Sequence, residues 1–542
     1  RQMTQPQSVG KTAMDLPHPV SLPVGCAWEL EVNDDVVETG VTANGRMESE
    51  DELLQMVQDF AADQVARMEV TRPEVLRSVR AHVAFHNCAE ALRGGKNKPS
   101  WYQRSSMSDR IGAFWSHSWH GECWKKIVTL FVLYNSLPAI IAGMVSAVSM
   151  ALLFSLGFLP GLERIPGIQF CFWSLLSGSM TSMLTFLLWR PQQRVFFDRV
   201  CLHQSDSELK TAGILSLAGI LKHSDTMLVL WDATYSERLW CLFELAAFLK
   251  SKDIGPDVLI IKPIFTGPAA VFIFLGAVFG LLPLTLAPID QFFLLPASGI
   301  IFLMGAGQYL ACASMRSYFQ AVEDMSKSLK HLRIENTQCT CCNMGHVDED
   351  GTALICDRKV VEECIRLWFG DQRGFEASIQ TEVVEVLVRQ LRQLAFPYKW
   401  RVGISTPIFW ACLDIAASVY KLENYALALY WCICGVLMWL ICGPMIIQWA
   451  VFLTRAFCEQ RSSLWQDVLK NLLVILLGLP APMVLVAWVV FLEFAIVDPL
   501  SRSAIFVVSI LLTTCVMCCL QPPNFSFRSK VSPHPIEARG NP

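Results

Sequence analysis

The chain has 542 residues, 53% hydrophobic and 17% charged, with net charge −4 and a mean hydropathy of +0.40. Soluble domains carry about 25% charged residues, so this balance excludes an ordinary soluble globular protein and points to membrane lipid as a partner. The near-neutral charge gives no basis for nucleic-acid binding.

Residues 1–50 are punctuated by Pro and Gly, turn acidic between Glu29 and Glu52, and are expected to be a mostly disordered tail. They show no signal peptide, and Arg1 at the start implies a native beginning further upstream. Residues 51–100 predict two amphipathic helices. Leu53, Val57, Phe60 and Met68 share a face of the first; the second starts around Thr71 and Pro73, runs through Leu76, Val79 and Val83, and ends at Gly94-Gly95.

"IGAFWSHS" (111–118) reads as a strand just ahead of a long apolar run. A membrane span needs roughly 20 apolar residues. Candidates lie near 130–158, 168–189, 264–287, 291–312, 403–421, 426–453, 468–496 and 502–520, so about eight spans are expected, paired in four hairpins. Their tips, "GLERIPGIQ", "APIDQ", "KLENY" and "VDPLSR", are short and nearly free of Lys and Arg. The opposite ends carry Lys125, Lys126, Arg190, Arg194, Arg316, Lys327, Arg455, Arg461, Arg528 and Lys530. The positive-inside rule then places the large segments and both termini in the cytoplasm. Many of the 20 cysteines sit inside apolar runs, as Cys432, Cys434 and Cys442 do, which fits a reducing side rather than a disulfide framework.

Between the hairpins, 190–263 alternates apolar runs with helical patterns. "RVFFDRVCL", "TMLVLW" and "DVLIIKPIF" are strand-like. "SELKTAGILSLAGILKHS" is a helix with Ser207 as N-cap and Leu209, Leu217, Ile220 and Leu221 inward, and "ERLWCLFELAAFLKS" is another helix. Continuous apolar strands separated by helices imply a parallel sheet covered on both faces. With 111–118 it forms a flavodoxin-like α/β domain, 108–123 and 190–263, split by a hairpin over 127–189. A second hairpin covers 264–312, a Cys-rich helical cytoplasmic segment 313–402, four further spans 403–520, and a disordered tail 521–542.

Ligands bind beyond the carboxyl ends of the strands in such sheets. There the chain places Ser116, His117 and Ser118, then Asp198, then Asp232, with Glu244 two turns into the following helix. Any α/β domain has polar strand ends, so position alone leaves a structural role open.

"IGAFWSHSW", "VFFDRVCLHQ" and "ILKHSDTMLVLWDATYSERLWCLFEL" resemble the Toll/interleukin-receptor (TIR) domain, whose last block carries a Ser-strand-Tyr-x-Ser-x-Trp-Cys-x-x-Glu-Leu pattern. "FFDRVCLHQSD" also resembles the heterokaryon-incompatibility domain, and the match covers about 90 residues. The resemblance implies self-association and, in some members, cleavage of NAD by the glutamate of that helix. Glu244 stands at that position, with Ser116, Asp198, Asp232 and Trp240 on the same edge as NAD-binding candidates. Trp240 packing its helix onto the sheet, and Glu244 serving an assembly domain structurally, are the alternatives.

"CTCCNMGHVDEDGTALIC" spaces Cys339, Cys342, His346 and Cys356 as zinc-type ligands, with Cys341 as a substitute. Reduced thiols in a turn and a redox switch fit the same residues. Asp414 and Glu493 are acids inside apolar runs, either functional or near span ends. The sequence thus reads as a multi-pass membrane protein displaying a signalling or assembly domain, with NAD cleavage through Glu244 an activity that the resemblance leaves open. A transporter with a regulatory domain and a structural scaffold are the rivals.

Overall fold

The computed structural model describes residues 50–519 apart from 94–98, 166, 253–254, 256, 287–293, 348–354, 393–395, 459–462, 479 and 497. The expected terminal tails, the Gly94-Gly95 stop and the "APIDQ" tip therefore lie outside the described residues.

The described strands are β1 (Arg77–Arg80), β2 (Ser106–Met107), β3 (Ile111–His117), β4 (Leu162–Ile165), β5 (Ile168–Phe170), β6 (Arg194–Phe196), β7 (Ser224–Trp231) and β8 (Leu259–Pro263). Six of them form one sheet in the order β2-β1-β6-β3-β7-β8. Its centre is parallel, with Trp115 opposite Leu228 and Val229 opposite Ile261, while β1 and β2 run antiparallel at one side. The sheet is therefore mixed. Phe114, Trp115 and Met227 to Trp231 are all buried, as strands covered on both faces must be.

The second helix expected over 71–95 does not form. Arg72 precedes Pro73 and is extended, as that position favours. After one 3-10 turn the chain becomes β1, where Val79 pairs with Val195 and is fully buried. A β-branched residue with a partner strand beside it outweighs the weak helical period.

The helices used below are α1 (Glu50–Ala66), α2 (Cys123–Ser155), α3 (Trp173–Leu188), α4 (Ser207–Leu215), α5 (Leu217–Lys222), α6 (Leu239–Ser251), α7 (Thr266–Leu286), α8 (Leu294–Lys330), α9 (Asp357–Phe369), α10 (Thr406–Lys421) and α11 (Tyr425–Ala456). The expected single helix over 207–224 is two. Its N-cap is Asp206, whose carboxylate accepts the Leu209 N–H, and it breaks at Ser216, whose hydroxyl is engaged by Thr71.

Helix α6 is apolar nearly all round because it lies between two layers. One side faces the sheet. On the other, Phe243 meets Trp368 of α9 at 5.7 Å, and α9 is held to α1 by Trp368 Nε1–H donating to the Ala66 carbonyl at 2.9 Å. Segment 313–402 thus contributes a layer to the α/β domain. Each fully buried Phe or Trp of this kind adds about 1.5–3 kcal/mol.

Helix α2 follows β3 directly. Its first turns belong to the domain: Tyr134 OH accepts from Trp115 Nε1 at 2.9 Å, and Phe131 packs on Phe85. It then continues as an apolar rod against α3, where a Cβ on Gly143 would sit 2.7 Å from the Gly178 carbonyl. Small residues permit that approach. The tip between α2 and α3 is the β4–β5 hairpin. Strand β8 likewise runs straight into α7, and α2 and α7 touch where they leave the sheet: Thr129 Oγ1 donates to the Ile264 carbonyl at 2.7 Å and accepts from Gly267 N.

Among the described residues, two helices, α2 and α11, are long and apolar enough to cross a membrane. A third qualifies if Tyr398–Ile404 and α10, bent by 45°, are one span. α3, Thr266–Leu282 and Pro499–Thr514 are apolar but shorter. Against the eight expected spans, the described residues thus hold two or three helices that meet this measure. Two of the basic residues expected to flank spans are buried instead. Arg316 donates to the carbonyls of Phe457 and Asp467, to Asp467 Oδ1 and to Asn471 Oδ1; Lys126 belongs to the strand-end cluster.

Candidate functional site

The carboxyl ends of β3, β6 and β7 converge with the start of α6. Side chains alternate along β3, so Trp115 and His117 face α2 while Phe114 and Ser116 face α6. Ser116 Oγ lies 2.5 Å from Glu244 Oε2 and 2.7 Å from Tyr235 OH. Tyr235 OH also reaches the Cys241 carbonyl at 3.3 Å. Ser116 and Tyr235 are fully buried; Glu244 keeps part of its surface open. Burial pushes the Glu244 carboxyl up to about 8, with the Ser116 hydrogen bond opposing the rise and the nearby Asp198 adding to it.

Asp198 opens the short helix after β6. Its carboxylate accepts from Trp119 Nε1 at 3.0 Å and from Arg199 N at 2.6 Å, and burial raises its pKa above the usual carboxylate value. The Arg199 guanidinium is buried between the rings of Trp101 and Trp119, 4.8 and 5.3 Å from their centroids. His117 packs on Trp119 and Phe197; burial first, then Lys126, lower its pKa to about 3, so the imidazole is neutral.

Asp232 is occupied differently. Its Oδ2 lies 2.7 Å from Lys126 Nζ, both side chains being almost fully buried, and its Oδ1 accepts from Thr234 N and Oγ1. Lys126 also donates to the Ser118 carbonyl. Gly121 makes room for the pair: a Cβ there would stand 1.8 Å from Asp232 Oδ2. Asp232 thus fastens β7 to the base of α2. Trp240 donates its indole N–H to Asp357 Oδ2 of α9 at 3.1 Å.

Of the residues singled out in the sequence, the fold brings Ser116, Asp198 and Glu244 together and directs Asp232 and Trp240 to other partners. It adds Tyr235 and Lys126. The Tyr-Ser turn was a signal for Tyr235; nothing in the local pattern of Lys126 set it apart from a span-flanking charge.

The cysteine cluster lies beside α6. Cys341, Cys342, His346 and Cys356 bring their ligand atoms within 4.8 Å of one another. Cys339 instead sits against Cys341, Sγ to Sγ 3.1 Å, in an adjoining trio with Asp357. A wide groove of about 950 Å³, lined by Gln58, Arg333, Lys359, Glu362, Arg366 and Glu376 among others, shares no residue with either cluster. Its charges pair among themselves, as in Arg333–Glu376.

No family model, curated protein or solved structure matches the chain. What the strand-end cluster does is therefore argued from its own chemistry.

Proposed function

We propose that this chain is a multi-pass membrane protein whose TIR-like α/β domain works in signalling by self-association and cleaves NAD with Glu244. The observation that supports the reading is the contact of Ser116 with a partly open Glu244, whose charge Asp198 also feels, at the carboxyl ends of the parallel strands.

The chemistry asks for such a group. The bond between ribose C1′ and the nicotinamide nitrogen breaks, its electron pair stays on the nitrogen, and neutral nicotinamide leaves without needing a proton. A ribosyl cation develops, and water adds to C1′ with release of a proton. A carboxylate beside C1′ stabilises that cation. The positively charged nicotinamide ring of the bound substrate favours the ionised form of Glu244, opposing the burial that disfavours it. Ser116 Oγ holds the carboxylate in place.

In the same reading the apolar helices make eight crossings in four hairpins, leaving the large segments and both termini cytoplasmic. The close packing of α2 on α3 and of α7 on α8, whose Gly276 and Gly307 backbones meet, supports hairpins. Tethered domains then meet at high effective concentration, which suits control by clustering. Asp414 does not favour transport: both its oxygens accept backbone N–H groups, from Ser174 and Leu175, capping α3.

The test is nicotinamide release from NAD by detergent-solubilised protein, dilute and clustered, beside Glu244→Ala. Release is expected, with the variant slower by about 10²–10³-fold. No release from folded protein in either condition would leave assembly without catalysis. The hydrogen bonds that Ser116 shares with Glu244 and Tyr235 favour that second reading.

A further inference from the structure

We infer that Cys341, Cys342, His346 and Cys356 bind one zinc ion that clamps segment 337–357 onto the start of α6. The inference is independent of the NAD reading, since the two clusters share no residue.

The donor set is three thiols and an imidazole, the chemistry of tetrahedral structural zinc. Cys342 Sγ and Cys356 Sγ stand 3.7 Å apart. A tetrahedron with Zn–S bonds of about 2.3 Å has an S···S edge of roughly 3.8 Å. The 3.1 Å between Cys339 and Cys341 is too short for both to ligate one such ion, and the group that closes on His346 contains Cys341, so Cys339 stays outside the set although its spacing suggested it.

The chain is folded to deliver these atoms. Cys341 and Cys342 lie on one helical turn, and the chain doubles back so that His346 N donates to the Cys341 carbonyl. That reversal holds Gly345 and His346 at φ of +71° and +60°; for a non-Gly residue this backbone costs on the order of 1 kcal/mol. His346 Nε2 is buried without a hydrogen-bond partner among the described residues, and as the lone-pair nitrogen of the ring it would be satisfied by a metal. Cys356 precedes the first residue of α9, whose Asp357 N–H donates to Cys341 Sγ at 3.3 Å. Such N–H···S bonds orient and stabilise ligating thiolates.

The clamp has a defined load. Leu239 N donates to the Gln338 carbonyl and Gln338 N to the Glu237 carbonyl, making a short bridge between the segment and the turn before α6. Trp240 is bound to Asp357 next to the ligand Cys356. The ion therefore fixes the turn that carries Tyr235 and the first turns of the helix that carries Glu244.

The full-length chain, purified in detergent without chelator, is to be analysed for metal and then exchanged into cobalt. We expect close to one zinc per chain, and in the cobalt form the intense d–d bands and thiolate charge transfer of a tetrahedral site. C342S and C356S should each lose the metal, while C339S should keep it; the cobalt spectrum of the unaltered protein reads the ligand set even where a variant misfolds. Chelation should speed amide exchange across 235–244. Absence of metal and of a cobalt spectrum in folded, reduced protein would overturn the inference, as would a Cys342–Cys356 disulfide in its place. Retention of zinc in both C342S and C356S would equally refute the ligand set.

Discussion

With its pKa near 8, the Glu244 carboxyl is mostly protonated at neutral pH in the ligand-free protein. If it must be ionised to stabilise a ribosyl cation, kcat/KM for NAD should climb with pH and level off above about 8. Ser116→Ala removes the hydrogen bond that favours the charged form, so the rise should move to higher pH; an unmoved profile would dissociate the two residues. Stability has the opposite slope. The folded value lies above the ordinary 4.5, so the stabilisation from the protonated acid is full below about 4.5 and is lost as pH rises to about 8. The Lys126–Asp232 pair makes another demand. Lys126→Ala leaves a buried carboxylate alone and should cost about 3–5 kcal/mol, measured by chemical denaturation in detergent, with Asp232→Asn partly restoring the loss. At this scale Ser116, Asp198 and Glu244 were legible because strand ends in parallel sheets collect polar groups. The pairing of Asp232 with Lys126 was not legible, because Lys126 comes from a helix that looked wholly committed to the membrane.

Among the elements, β8 is the edge strand of the parallel half, and edges invite pairing with other chains. Gln390 covers it: its side-chain oxygen accepts the Ile261 N–H at 3.0 Å and its amide donates to the Leu259 carbonyl at 2.5 Å. One amide thus imitates a neighbouring strand. Gln390→Ala should cost about 1–3 kcal/mol and shift the detergent-solubilised protein toward higher oligomers in light scattering. Unchanged size and stability would show the edge to be protected by other means. The central strands and α6 were legible from apolar runs bounded by turn residues. β1 was not, since "RSVR" acquires its strand character from partners elsewhere in the chain, Ser106 and Met107 on one side and Arg194 and Val195, more than a hundred residues away, on the other. Cys341 was likewise second choice in the spacing, because spacing counts residues along the chain and the turn at Gly345 decides which sulfurs meet.

For the molecule as a whole, composition announced helices long and apolar enough to cross a membrane, and the pattern between 190 and 263 announced an α/β domain. How they join was not legible: the helix after β3 serves as a domain helix for its first turns and as an apolar rod thereafter, and no single period marks the change. At 33 residues α2 is about 50 Å long, and it meets α7 at Thr129 and Gly267 as both leave the same edge of the sheet. That shared exit couples the two helices: Thr129 grips the first turn of α7, so any tilt of α2 against the sheet is passed through Ile264 and Gly267 to the end of β8.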